Sequence, residues 1–143
     1  MEPGFELDHI GIAVKNLEES FKFYKLMGWS SLKTETVESE KVKVGFIEFN
    51  NQVNIELLEA TSDESPVAKF IAKRGAGIHH ICFRVKNIRE VMKTLKSSGV
   101  QLINAEPKMG AHNCLVAFIH PKSTGGVLIE LSEKQNSEKQ RDR

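Results

Sequence analysis

Two histidines and two glutamates occupy matching places in this chain of 143 residues. His9 lies in Asp8-His9-Ile10-Gly11-Ile12 and His80 in His79-His80-Ile81-Cys82-Phe83, while Glu56 and Glu130 each stand in the string Ile-Glu-Leu. Two neutral imidazoles and two carboxylates suit a divalent transition metal, and on an octahedral ion they leave positions for water or substrate. These residues come from well-separated segments, unlike the close pairs of a zinc finger. The site they would form is open and catalytic in character rather than a structural staple.

Strand parity selects these four. Side chains alternate between the faces of a strand. Along 6–14, Ile10, Ile12 and Val14 share one face, and His9 lies opposite with Gly11 and Ala13, whose small size leaves room. Along 78–85, Ile81, Phe83 and Val85 share a face with His79, so His79 reads as a core histidine or a support behind a ligand. His80 lies opposite with Cys82 and Arg84. In the same way Val53, Ile55 and Leu57 leave Glu56 on the other face, and Val127, Ile129 and Leu131 leave Glu130. A carboxylate in mid-strand is costly to bury unless it is paired or metal-bound. The alternative for both glutamates is an exposed sheet face.

The elements that must position these residues repeat. At an offset of 71, nine of the twenty positions from His9 to Gly28 are identical to those from His80 to Gly99. Val44-Gly45-Phe46-Ile47 matches Val116-Ala117-Phe118-Ile119 at offset 72, and Ile55-Glu56-Leu57 matches Ile129-Glu130-Leu131 at offset 74. Each copy reads as strand, helix and three strands, which gives an α+β fold of two tandem βαβββ modules (about 5–60 and 77–132) related by a pseudo-twofold. Together they make one domain over 1–132. Asn16 and Asn87 are placed to cap the helices and Gly28 and Gly99 to end them. Leu17, Phe21, Tyr24 and Met27 recur at helical spacing and are expected in the core. Strands are expected at about 30–37, 41–49, 52–59, 101–104, 114–119 and 126–131. A linking helix is expected over Asp63–Arg74, and the charged tail 133–143 is expected to be disordered.

Composition bounds the partners. Lys+Arg 20 against Asp+Glu 19 leaves a net charge of +1, which argues against a dedicated nucleic-acid or membrane-surface binder. No apolar run approaches the roughly 20 residues of a membrane span. Met1-Glu2-Pro3-Gly4 lacks the basic and apolar regions of a signal peptide. Cys82 and Cys114 lie in apolar runs and read as buried free thiols. A soluble protein of a reducing compartment is the expectation, in the cytoplasm or, for a mature eukaryotic chain, the mitochondrial matrix.

These features resemble the vicinal oxygen chelate (glyoxalase-like) superfamily and, within it, the methylmalonyl-CoA epimerases. The resemblance runs from about residue 5 to 132. It is carried by Leu7-Asp8-His9-Ile10-Gly11-Ile12-Ala13, Ile55-Glu56-Leu57-Leu58-Glu59, the stretch from Asp63 to Phe70, Gly77-Ile78-His79-His80-Ile81, Gly110-Ala111-His112 and the stretch from His120 to Leu131. It implies metal ligands at His9, Glu56, His80 and Glu130, the same four that parity selects. It also implies a sheet curled around a divalent ion (cobalt in first place, with zinc, manganese or nickel as alternatives), methylmalonyl-CoA as substrate and a homodimer. The order of affinities alone would favour zinc or copper over cobalt and manganese.

Epimerisation at C2 needs a base on one face and an acid on the other. The resemblance gives Glu130 one of these roles. For the other, some family members carry a glutamate on the third strand where this chain has Val44; Glu48 is the nearest carboxylate of the same parity, but it lies at the strand's end, and a simply solvated carboxylate is the equal alternative. Glu56 is the second candidate, and it stands where some family members have glutamine. Lys41, Lys43, Lys108 and Lys122 are candidates to hold coenzyme A phosphates. Competing readings are a lactoylglutathione lyase on the same scaffold and a metal-free binding protein of the bleomycin-resistance type. An iron dioxygenase would need only two histidines and one carboxylate.

Overall fold

Apolar alternation and helical spacing resolve into eight strands and three α-helices among the described residues, which are 3–135 of this computed structural model. The fold is α+β. Two compact units form, one over Leu7–Cys82 and the other from 3–6 together with 83–135.

The unit Leu7–Cys82 holds β1 (Glu6–Ala13), α1 (Leu17–Met27), β2 (Lys33–Val37), β3 (Val42–Ile47), β4 (Asn54–Ala60), α2 (Pro66–Arg74) and most of β5 (Gly77–Arg84). Its strands follow the order β2-β3-β4-β1-β5. β1 runs parallel to β4, with Gly11 opposite Glu56, and β3 runs antiparallel to β4, with Phe46 opposite Glu56. Under α1 lies a core of Val14, Leu17, Ile47 and Leu57, extended by Ile12, Phe21, Tyr24, Trp29, Leu32 and Ile55. Expelling this apolar surface from water is the main force that fixes the helix on the sheet.

The helices start where their caps allow. The Asn16 side chain accepts the Glu19 N–H at 2.9 Å, and Glu18 and Glu19 oppose the positive helix end. Gly28, at φ +124°, closes α1 in a backbone conformation that suits glycine. The linking helix begins at Pro66 rather than Asp63, because Ser65 caps it by accepting the Val67 N–H and Pro66 occupies its first turn. Met27 and its neighbour Leu26, 88% exposed, lie on the outer face of α1. The expectation of Met27 in the core is thus corrected, because an eleven-residue helix against one sheet has only one covered stripe.

The second unit contains α3 (Ile88–Ser97), β6 (Lys108–Met109), β7 (Cys114–Ile119) and β8 (Ile129–Lys134), with strand order β8-β7-β6. All neighbouring pairs here are antiparallel. Phe118 stands opposite Glu130 and Val116 opposite Ser132, the pairings that the repeat offsets predict from Phe46–Glu56 and Val44–Leu58. The Asn87 side chain caps α3 through the Glu90 N–H at 3.2 Å. The helix ends at Ser97 with Ser98 as its cap, one residue before Gly99.

Several boundaries differ from expectation. The segment 101–104 forms a single bridge, Leu102 to Ile119, instead of a strand. β8 starts at Ile129 because Gly125 and Gly126, at φ +79° and +103°, turn the chain just before it. It then runs through Lys134, so residues 133 and 134 belong to a strand and not to the tail. The rest of the expected disordered tail, 136–143, lies outside the described residues. Cys82 is buried and Cys114 only partly so, because Cys114 opens β7 beside a short turn. No helix among the described residues is long and apolar enough to cross a membrane.

Candidate metal centre

Two of the four expected ligands, His9 and His80, meet within Leu7–Cys82, and Glu56 approaches His9 at its other ring nitrogen. His9 on β1 and His80 on β5 are 4% and 5% exposed, and Glu56 on β4 is 8% exposed. Their burial excludes the exposed sheet face for Glu56. The His9 and His80 rings meet edge to face, with Nε2 of one 2.9 Å from Nε2 of the other. Gly11 makes this possible: a Cβ there would sit 2.6 Å from His80 Nδ1 and 2.7 Å from His80 Nε2. The space that parity foresaw beside His9 is filled by the second histidine.

The other ring nitrogens are also held. Asp8 Oδ2 accepts from His9 Nδ1 at 2.6 Å, and Glu56 Oε2 lies 3.1 Å from that same nitrogen. His80 Nδ1 is 2.9 Å from His79 Nδ1, and the His79 ring packs edge-on against Phe70 of α2, 4.9 Å between centroids. Asp8, His9 and Cys82 each present a ligand-type atom within 4.8 Å of the other two, with Cys82 fully buried.

The two histidines fit a divalent ion. Two imidazole nitrogens, each about 2.0–2.1 Å from one ion and at right angles, stand about 2.9 Å apart. The observed separation of the two Nε2 atoms is 2.9 Å. Both rings have their remaining nitrogen in hydrogen-bonding contact, as metal-binding histidines require.

Glu130 lies in the other unit, in mid-β8 opposite Phe118, and is 8% exposed. It too is no exposed-face residue. Glu48 takes the solvated alternative. It follows the last residue of β3, its side chain is exposed, and Lys33 Nζ lies 3.5 Å from its Oε1, so it sits in a surface ion pair. Its backbone carbonyl, not its carboxylate, accepts the Trp29 indole N–H at 2.9 Å. Of the four candidate phosphate-binding lysines, Lys41 faces Glu64 at 3.4 Å. Asp8 carries no role in the sequence reading, and the signal that finds it is its position: offset 71 places it on His79, as it places His9 on His80.

Comparison with known proteins places the chain in a family. The family model of the glyoxalase/bleomycin resistance protein/dioxygenase superfamily matches residues 8–118. The mitochondrial methylmalonyl-CoA epimerase of Dictyostelium discoideum is 41% identical over 131 residues, covering 90% of this chain and 78% of that protein. The crystal structure of methylmalonyl-CoA epimerase from Mycobacterium tuberculosis superposes with a TM-score of 0.86 at 32% identity, covering 94% of this chain and 91% of that one. A methylmalonyl-CoA epimerase solved in complex with methylmalonyl-CoA and ammonium gives a TM-score of 0.82 at 32% identity, over 90% of this chain and 93% of that one. The chain belongs to the glyoxalase/bleomycin resistance protein/dioxygenase superfamily and, within it, to the methylmalonyl-CoA epimerase family.

Proposed function

We propose that this protein is a metal-dependent isomerase that interconverts (R)- and (S)-methylmalonyl-CoA by removing and returning the C2 proton through an enolate. Its relatives of that name support the reaction. The observation that carries the site is the approach of His9 Nε2 and His80 Nε2 to 2.9 Å in a buried setting. On this reading His9, Glu56, His80 and Glu130 hold the ion, in one domain over 1–132 built from modules of about 5–60 and 77–132. When bound, the ion supplies Lewis-acid stabilisation of negative charge on the substrate oxygens. Cobalt is the first candidate, ahead of zinc, manganese and nickel.

The chain's own residues handle the proton. Glu130 takes it from C2, the C–H electron pair moves onto the thioester carbonyl, and a carboxylic acid on the other face returns a proton to C2. Glu56 fills the second role better than Glu48, because Glu56 is buried beside His9 whereas Glu48 is paired at the surface. Homodimerisation and a cytoplasmic or matrix location complete the proposal.

The test is wash-in of deuterium from D2O at C2 of methylmalonyl-CoA, with chiral analysis of the product. Exchange with scrambling of configuration is expected. Absence of exchange in a metal-replete protein, with turnover of the glutathione hemithioacetal of methylglyoxal instead, would establish the lyase reading. Elemental analysis of protein purified without chelator is expected to give about one divalent ion per chain. A metal-free active-site cluster would support the bleomycin-resistance type of binder.

A further inference from the structure

A metal-binding imidazole uses one nitrogen lone pair for the ion and keeps its proton on the other nitrogen. That N–H needs an acceptor, which fixes the tautomer and the ring plane. Both candidate ligands have such an acceptor one residue earlier in the chain. Asp8 Oδ2 stands 2.6 Å from His9 Nδ1, and His79 Nδ1 stands 2.9 Å from His80 Nδ1. Offset 71 superimposes Asp8 on His79 just as it superimposes His9 on His80. The same job recurs in both copies with a carboxylate in one and an imidazole in the other.

We propose that Asp8 and His79 are repeat-related positioning residues, which hold the His9 and His80 rings with both Nε2 atoms directed to one point and so set the affinity for a divalent ion. This rests on the metal-dependent reading of the site. To accept from His80, His79 must keep its Nδ1 lone pair and carry its own proton on Nε2. Its ring is steadied for this by edge-on contact with Phe70. The two acceptors are not equivalent. A carboxylate can accept through either oxygen, whereas the imidazole accepts in one tautomer only, so the His80 half of the site is the more easily disturbed.

Two substitutions at His79 separate positioning from packing. His79→Phe keeps an aromatic ring against Phe70 and removes the acceptor. His79→Asn removes the ring and places an amide oxygen near the Nδ1 position. Affinity for Co2+ is measured by chelator competition on the whole chain, together with the melting temperature of the metal-free protein. His79→Phe is expected to bind Co2+ about 10–100-fold more weakly while melting close to the parent. His79→Asn is expected to bind Co2+ nearly as the parent does but to melt lower. Asp8→Leu should weaken Co2+ binding, and Asp8→Asn, which keeps an acceptor oxygen, should restore most of it. Parent-like Co2+ affinity in His79→Phe overturns the proposal while leaving the metal reading intact. A parent that binds no Co2+ overturns both. If His79→Phe fails to fold, His79→Asn decides: loss of Co2+ affinity in a folded Asn variant overturns the proposal.

Discussion

Glu59 and Glu133 do the same thing in the two halves of the chain. Glu59 Oε1 accepts the backbone N–H of Leu17, the first residue of α1, at 2.7 Å, and Glu133 Oε1 accepts that of Ile88, the first residue of α3, at 2.8 Å. Offsets of 71 and 74 relate the two pairs. Each carboxylate comes from the last strand of its copy and lies at the positive end of a helix dipole.

Removing either acceptor leaves a partly buried N–H unsatisfied. Glu59→Ala and Glu133→Ala are each expected to cost about 1–2 kcal/mol. The glutamine variants, which keep an acceptor oxygen, should lose less. Urea unfolding midpoints check this, and parent-like stability in both alanine variants would show that water replaces the caps without loss.

Gly11→Ala should cripple the site without touching a candidate ligand. Its Cβ would fall 2.6–2.7 Å from the His80 ring nitrogens, so ring or strand must shift. A stability loss of about 1–3 kcal/mol is expected from overpacking. Co2+ titration of the folded variant should show weakened binding. Unchanged binding would mean that His80 has another rotamer able to hold the ion.

Glu130→Gln retains an oxygen donor but cannot accept the C2 proton. Turnover should therefore fall roughly 10²–10⁴-fold, much further than metal content. Glu56→Gln, which cannot return the proton on the other face, should also lose turnover while keeping an oxygen donor for the ion. Turnover and bound metal measured side by side check the pair. Near-parent turnover in a metal-replete Glu56→Gln protein would take the second role away from Glu56, and near-parent turnover in Glu130→Gln would take the first from Glu130.

Two truncations separate the contribution of β8 from that of the charged tail. A chain ending at Gln135 keeps Glu133 on α3 and the hydrogen bond from Gln135 N to Asn113 O at 3.0 Å, and its melting temperature should match the parent's. A chain ending at Ser132 loses the cap and two residues of β8 and should melt several degrees lower, as a loss of about 1–2 kcal/mol implies at this size. Equal melting temperatures would show that the strand end contributes nothing.

The repeat made most of this legible. Identity at offset 71 found the helices and their asparagine caps, and parity together with the repeat matched His9 to His80 and Glu56 to Glu130, all four of them buried. Parity failed where its premise fails. Glu48 lies past the end of β3, where alternation no longer governs direction, and its carboxylate turns out to Lys33. His79 faces Phe70 as parity requires, yet an imidazole is large enough to reach its neighbour on the same strand, so His79 touches His80 as well. Asp8 escaped because an identity count discards positions that differ, although Asp8 and His79 share a task. Two-residue β6 and the single Leu102–Ile119 bridge are too short to leave any periodic signal.

The spacing of the candidate ligands also sets a schedule. His9, Glu56 and His80 belong to one compact unit that closes at Cys82, whereas Glu130 is encoded fifty residues after His80. At about 5–20 residues per second, translation separates the emergence of His80 and Glu130 by roughly 3–10 s. Throughout that interval the growing chain carries both histidines without its last carboxylate. Under the four-ligand reading, an ion bound in that interval would have one protein ligand fewer than in the finished protein, so loading before and after β8 forms would differ in affinity.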